Sequence, residues 1–320
     1  MSYPSEFRRI VDSITNMRIR GAGRIARAAV KALTIASEYF KGDDPSKYIE
    51  YIKGAARVLY ESRPTAVSLP NGLRYVLNKL MKDYEGGLDD VAILKDKLDR
   101  YASEFINLSL NAVKRIGVLG SGRIEDGDTI LTHCNSQAAI SVIKHAFKEG
   151  KDIKVYVTET RPRYQGRITA STLAREGIDV TLIIDSAVRF FMNEIDKVIV
   201  GADAIAANGA LVNKIGTSQI ALIAYEARTQ FMVASESYKF SPDTFFGRLI
   251  KIEERSLYEV APRNWIEKYG VKIRNPAFDI TPPRYIDLII TEVGVVSPEA
   301  FPILIHNYYG EFYSELNPWD

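Results

Sequence analysis

Only one cysteine, Cys134, and three histidines, His133, His145 and His306, occur in the 320 residues. A single thiol excludes an intrachain disulfide framework and fits a reducing, cytoplasmic setting. The imidazoles are too few and too scattered for a zinc site, so no metal is expected. His145 and His306 read as surface or packing residues. His133 adjoins Cys134, but neighbours on a strand point to opposite faces, which argues against a Cys–His nucleophile pair. No apolar run approaches the roughly 20 residues needed to cross a bilayer, and the opening MSYPSEFRRIVDSI lacks the apolar core of an export signal. Neither sign of charge is in excess: 42 Lys and Arg against 40 Asp and Glu leave +2. That balance, and the lack of an extended basic–aromatic motif, argue against a nucleic-acid partner.

What is present falls into two textures. Residues 1–115 read as a helical domain: IRGAGRIARAAVKALTIASEYF is alanine-rich, and DPSKYIEYIKGAARVLYESRP opens on a cap-like Asp-Pro-Ser and stops before Pro64. From 116 to 320 short apolar runs alternate with helical segments, as in TILTH, IKVYVTE, DVTLII, KVIVGAD, QFMVAS and IDLIITE. This is the pattern of buried parallel strands in a doubly wound, Rossmann-like α/β sheet. Ligands of such sheets bind beyond the carboxyl ends of the strands. His133-Cys134-Asn135, Glu159-Thr160-Arg161 and Gly201-Ala202-Asp203 are therefore candidates to line one crevice. GVLGSGRI (Gly117–Ile124) resembles a dinucleotide fingerprint, but it follows a helix and precedes a strand, so a turn between domains is expected instead.

Several residues could carry chemistry. Cys134 is a small core residue, a nucleophile or a thiolate that moves protons. Asp203 is a turn residue or, if shielded from water, a protonated acid. Gly21 and Gly23 lie before a helix whose amino end could meet an anion, with Arg20 completing the site. Arg63 is biased out of helical geometry by Pro64 and is a structural hydrogen-bonder or an anion clamp. Asn208-Gly209 signals a tight turn. Asn213 and Lys214 stand just before another helix, where an amide and a lysine could cradle phosphate. Lys239, in ASESYKFSP, is a loop charge or a further cation at the sheet's carboxyl end. One thiol, one carboxylate and several cations suit proton transfer on a small phosphorylated substrate.

The stretches IRGAGRIA, RPTAVSLPNGLRYV, DTILTHCNSQAAI, VTETRPRYQGRITASTL, GADAIAANGALVNKIGT and NPAFDITPPRYIDLIIT together resemble one superfamily over nearly the whole chain. It comprises methylthioribose-1-phosphate isomerases, ribose-1,5-bisphosphate isomerases and the alpha, beta and delta regulatory subunits of the exchange factor for translation initiation factor 2. The branch most resembled is the archaeal ribose-1,5-bisphosphate isomerases. The resemblance implies a catalytic pair at Cys134 and Asp203, and substrate contacts at Arg20, Gly21, Ala22, Gly23, Arg63, Ser136, Gln137, Asn213, Lys214 and Lys239. It also implies an aldose–ketose isomerase of a phosphorylated pentose in nucleotide salvage. No redox cofactor is implied; AMP is implied as an activator, and a dimer-based homo-oligomer up to a hexamer as the assembly. A helix end and nearby cations should hold Cys134 as the thiolate. The chain departs from the family pattern at Asn135, and at Val293 and Ser297, where many members have Arg and Pro. Methylthioribose-1-phosphate isomerase and a non-catalytic regulatory subunit are the alternatives.

Overall fold

Ala26, Ala29, Ala32, Leu33 and Ala36 fall on one face of a helix and are buried, because small side chains let neighbouring helices approach closely. The computed structural model describes residues 2–309 and 317–320. In chain order it contains α1 (Ser5–Thr15), α2 (Ala22–Tyr39), α3 (Pro45–Ser62), α4 (Ser68–Glu85), α5 (Val91–Ser121), β1 (Thr129–Thr132), α6 (Gln137–Lys148), β2 (Lys154–Thr158), α7 (Gln165–Ala174), β3 (Asp179–Ile183), α8 (Val188–Phe191), β4 (Lys197–Val200), β5 (Ala204–Ala206), β6 (Leu211–Lys214), α9 (Thr217–Ala227), β7 (Gln230–Ala234), β8 (Phe240–Ser241), α10 (Arg263–Tyr269), β9 (Phe278–Thr281), β10 (Leu288–Ile290), β11 (Val295–Val296) and α11 (Phe301–Tyr309). Among the described residues no helix is long and apolar enough to cross a membrane.

The chain divides into two units. The first runs from the amino terminus to Asn111 and also takes in Tyr238–Phe246 and the described residues from Ile305 onward. The expected boundary at 115/116 falls inside α5, which is one continuous helix. In this helical unit the core is built from Phe7, Leu33, Tyr48, Leu59, Leu69, Leu73 and Phe105. Asp44 caps α3 by accepting from the amides of Ser46 and Lys47, as the Asp-Pro-Ser start predicts. Gly72 lies inside α4 because a Cβ there would sit 3.1 Å from the Phe105 ring and 3.2 Å from Val30. Buried Asn71 donates to the carbonyls of Tyr238 and Phe240 at 2.7 and 2.6 Å. Its own Oδ1 accepts from Arg74, so the segment around Tyr238 is tied to α4 by a satisfied polar network.

The second unit is α/β. Its main sheet has the order β11-β10-β7-β4-β1-β2-β3. All pairs are parallel except β10 with β11. From β1 the chain winds outward through β2 and β3, then returns to β4 on the other side of β1 and continues through β7 and β10. The winding therefore reverses between β1 and β4, neighbours that pair Leu131 with Val198. β6 also pairs antiparallel with β5 and with β9, an addition that the apolar runs do not announce. Its hairpin turns at Asn208-Gly209, with Gly209 at φ 80° and the Ala206 amide donating to the Ala210 carbonyl.

The GVLGSGRI stretch is not an interdomain turn: Gly117 to Ser121 form the last turns of α5. A Cβ at Gly117 would lie 2.3 Å from Ser141 Oγ, and one at Gly120 would lie 2.5 Å from Val142. These glycines serve close packing of α5 on α6.

Candidate active site

In an open α/β sheet the crevice forms where the winding reverses, outside the carboxyl ends of the two strands concerned. Cys134 follows β1 and Asp203 follows β4. The topology thus brings both to the carboxyl edge at the reversal.

Cys134 is held in an uncommon conformation, with φ 68°. The left-handed region costs a non-glycine residue roughly 1–2 kcal/mol and persists where the surroundings over-determine it. Both of its backbone groups are engaged. The Cys134 amide donates to Thr160 Oγ1 at 2.9 Å, and its carbonyl accepts from Thr169 Oγ1 at 2.7 Å. The residue as a whole is half-buried. Lys214 and Arg255 favour its thiolate, while Asp203 opposes it. Desolvation is the largest influence; with Asp203 it outweighs Lys214, Arg255 and the Asn135 amide, and pushes the thiol up to about 11. The expectation of a resting thiolate is therefore corrected: in these surroundings the proton stays on sulfur, since burial disfavours the charged form.

His133 is buried and committed elsewhere. Its Nε2 donates to the Ile215 carbonyl at 2.9 Å, which leaves Nδ1 to accept from Thr158 Oγ1 at 2.5 Å. Desolvation lowers its pKa to about 4. A neutral imidazole with both nitrogens used holds the β1 end to β2 and to the segment before α9, and does not serve Cys134.

Asp203 is half-buried and opens the β5–β6 hairpin, with its amide donating to the Val212 carbonyl at 2.9 Å. Lys214, at the end of β6, is buried and donates to the Ala277 carbonyl at 2.9 Å. It also lies over the Phe278 ring. Desolvation lowers its pKa, and the negative ends of Cys134, Asp203 and Glu253 oppose that shift. Buried Asn213 donates to Thr217 Oγ1 at 3.0 Å.

The expected phosphate cradle before α9 is filled from within the protein. Asp279 accepts from the Gly216 amide at 2.7 Å and from the Ser218 amide at 3.1 Å. A carboxylate is what a helix amino end attracts, and this one is supplied by β9. Burial raises the Asp279 pKa to about 6 in spite of those amides. Lys214 thus acts as a cation beside Cys134 and Asp203, with Arg255 and Glu253 paired at 3.3 Å nearby. Arg255, Glu253 and Asp279 are absent from the residues expected from sequence. The stretch before β9 has no periodicity to place them, although NPAFD carries Asp279.

Ser136 caps α6 by accepting from the Ala139 amide at 3.3 Å, and Gln137 is the exposed first residue of that helix. A Cβ on Gly201 would lie 2.3 Å from Ser136 Oγ and 2.4 Å from Ser136 Cβ. Only glycine lets the end of β4 approach the start of α6 this closely.

The other expected contacts lie in the helical unit. Gly21, at φ 87°, precedes α2 with no side-chain cap, and a Cβ there meets nothing within 4 Å. Arg20 is exposed and donates to the Met17 carbonyl at 2.7 Å. Ala22 accepts from Ser68 through its carbonyl, and Gly23 is already within the helix. Arg63 ends α3 in extended backbone at φ −160°. Lys239 is buried, at 5% exposure, and so is no surface loop charge.

Residues 18–298 match the initiation factor 2 subunit family. The chain belongs to that family. Within it, the chain is 57% identical over 300 residues to the ribose 1,5-bisphosphate isomerase of Methanocaldococcus jannaschii, covering 93% of this chain and 94% of that one. It is 48% identical to the ribose 1,5-bisphosphate isomerase of Thermococcus kodakarensis over the full length of both. Among solved structures, the 5-methylthioribose 1-phosphate isomerase of Pyrococcus horikoshii superposes with a TM-score of 0.74 at 31% identity, covering 95% of this chain and 88% of that one. The relatives named here are all isomerases.

Proposed function

We propose that this chain is an aldose–ketose isomerase that converts ribose 1,5-bisphosphate into ribulose 1,5-bisphosphate, with Cys134 and Asp203 as the proton-transferring pair. The observation that carries this reading is the placement of one thiol and one carboxylate after β1 and β4, at the reversal of the sheet. The names of the relatives with high identity supply the sugar.

A phosphate on the anomeric carbon blocks opening to a free aldehyde, so the ring must open as the C2 proton is removed. Cys134 Sγ takes the C2 proton, and the released electron pair forms the C1–C2 double bond. The C1–ring-oxygen bond breaks, and the oxygen takes the proton from Asp203. The enol phosphate then takes a proton at C1 from Cys134 and returns the C2 hydroxyl proton to Asp203. Both groups regain their starting states and both phosphates stay in place. General acid–base help of this kind is worth about 10²–10⁴ in rate.

This mechanism needs one proton shared between the pair. The surroundings favour it on sulfur, and reaction requires it on Asp203. Lys214 and Arg255 support that shift through their charge on the sulfur side. Ser136, Gln137, Asn213, Lys214, Arg20, Gly21, Ala22, Gly23, Arg63 and Lys239 are carried forward as substrate-binding residues on the strength of the family resemblance.

A role in AMP and nucleoside salvage, activation by AMP, a cytoplasmic setting and a dimer-based hexamer belong to the same proposal. Incubating the protein with ribose 1,5-bisphosphate and, separately, with methylthioribose 1-phosphate, each with and without AMP, tests it. Turnover of the bisphosphate, accelerated by AMP, is expected. Turnover of the methylthio sugar alone would favour the alternative isomerase, and turnover of neither a regulatory subunit.

A further inference from the structure

The Thr-Glu-Thr-Arg-Pro stretch after β2 touches the candidate site without belonging to the proton-transferring pair. Thr160 has φ 61°, which for a β-branched residue is a marked outlier and needs support from its surroundings. That support comes from Asp185, at the end of β3. One carboxylate oxygen accepts from the Thr160 amide at 2.8 Å and the other from the Arg161 amide at 2.7 Å. A carboxylate gripping two successive amides makes charge-assisted bonds at each.

Thr160 passes this constraint on. Its Oγ1 accepts from the Cys134 amide at 2.9 Å, and its hydroxyl hydrogen points to the Thr158 carbonyl at 3.3 Å. Thr169 on α7 holds the Cys134 carbonyl from the other side. Three loops, after β1, β2 and β3, are thereby linked in the order Asp185, Thr160, Cys134. Two left-handed residues lie at consecutive joints of that chain, and both are fastened by side-chain oxygens.

We infer that Asp185 and Thr160 are positioning residues, which fix the Cys134 backbone in its left-handed state and so aim Sγ at the C2 proton. This rests on the function proposed above for Cys134. It adds that the thiol's reactivity depends on a hydroxyl and a carboxylate that act through the backbone. When the Cys134 amide loses its acceptor, the residue relaxes toward ordinary backbone geometry. Sγ then turns away from the charges of Lys214 and Arg255, the two groups that favour its thiolate.

The test uses Thr160→Val, which keeps branching and volume, beside Thr160→Ser, which keeps the hydroxyl. Two readouts are taken on folded protein: turnover of ribose 1,5-bisphosphate, and labelling of Cys134 by iodoacetamide, which is specific because the chain has one cysteine. Thr160→Val should lower kcat by about 10–100-fold with KM within about threefold, since small misplacements of a reacting group are costly. It should also slow labelling by about fivefold or more, while Thr160→Ser stays near wild type in both. Wild-type labelling in Thr160→Val, or equal losses in the Val and Ser variants, would overturn the inference. If the wild-type protein does not turn over the bisphosphate, the proposed function fails, and the labelling comparison still decides whether Thr160 positions the thiol.

Discussion

Cys134 and Asp203 leave adjacent parallel strands on the same edge of the sheet, the first after β1 and the second after β4, where Leu131 pairs with Val198. The winding of the chain reverses at this pair of strands, the edge where open α/β sheets bind their ligands. The thiol and the carboxylate also sense each other electrostatically, together with Lys214.

Replacing Cys134 by Ser should reduce turnover of ribose 1,5-bisphosphate by about 10²–10⁴-fold while KM changes little, since the hydroxyl is a far weaker base. Asp203→Asn should give a loss of the same order. Steady-state kinetics on both variants checks this; near-wild-type turnover in either removes that residue from the pair.

Because burial holds the Cys134 thiol at about 11, its thiolate fraction is small at neutral pH and grows as pH rises. Iodoacetamide labelling should therefore accelerate about tenfold per pH unit between pH 7 and 10. Lys214→Met should slow labelling at each pH by removing a cation that favours the thiolate. A labelling rate that is already level above pH 7 would mean that the sulfur is ionised at rest.

Gly201→Ala should destabilise the protein by about 1–3 kcal/mol, because an added Cβ overpacks against Ser136, which caps α6. Urea unfolding measures it, and an unchanged midpoint would mean that the β4 end can move away from α6 at no cost.

Acid should weaken the fold through His133. Its folded pKa is lowered to about 4, so the neutral ring contributes stability above its unfolded pKa, and that stability is lost as pH falls from about 6.5 toward 4, at most about 3 kcal/mol. Asp279 acts in the opposite sense. Its folded pKa is raised to about 6 from an ordinary 3.8, so it costs stability as pH rises across that interval. Asp279→Asn should therefore steepen the loss of stability between pH 6 and 4, and His133→Gln should flatten it. Unfolding midpoints at several pH values separate the two.

The parallel strands were legible because each is a short apolar run between helical segments, and Cys134 and Asp203 were legible because each ends such a run. β5, β6 and β9 were not, since no helix separates β5 and β6 from β4, and β6 and β9 interrupt their apolar residues with Asn213, Lys214 and Asp279; only the Asn208-Gly209 turn marked the β5–β6 hairpin. The glycines of GVLGSGRI misled because glycine suggests a turn, whereas Gly117 and Gly120 make room for α6. Sequence alone left Lys239 open between a loop charge and a further cation, because burial is a tertiary property that a polar neighbourhood in sequence does not reveal. For the same reason the capture of the α9 amino end by Asp279 could not be read from Asn213-Lys214, which is far from Asp279 along the chain.

The most direct measurement is conversion of ribose 1,5-bisphosphate in D2O, followed by phosphorus and carbon NMR. Ribulose 1,5-bisphosphate should form with both phosphates retained and with deuterium at C1, because a proton taken from C2 by Cys134 can exchange before it is returned. Failure to form the ketone while methylthioribose 1-phosphate is converted would contradict the assignment.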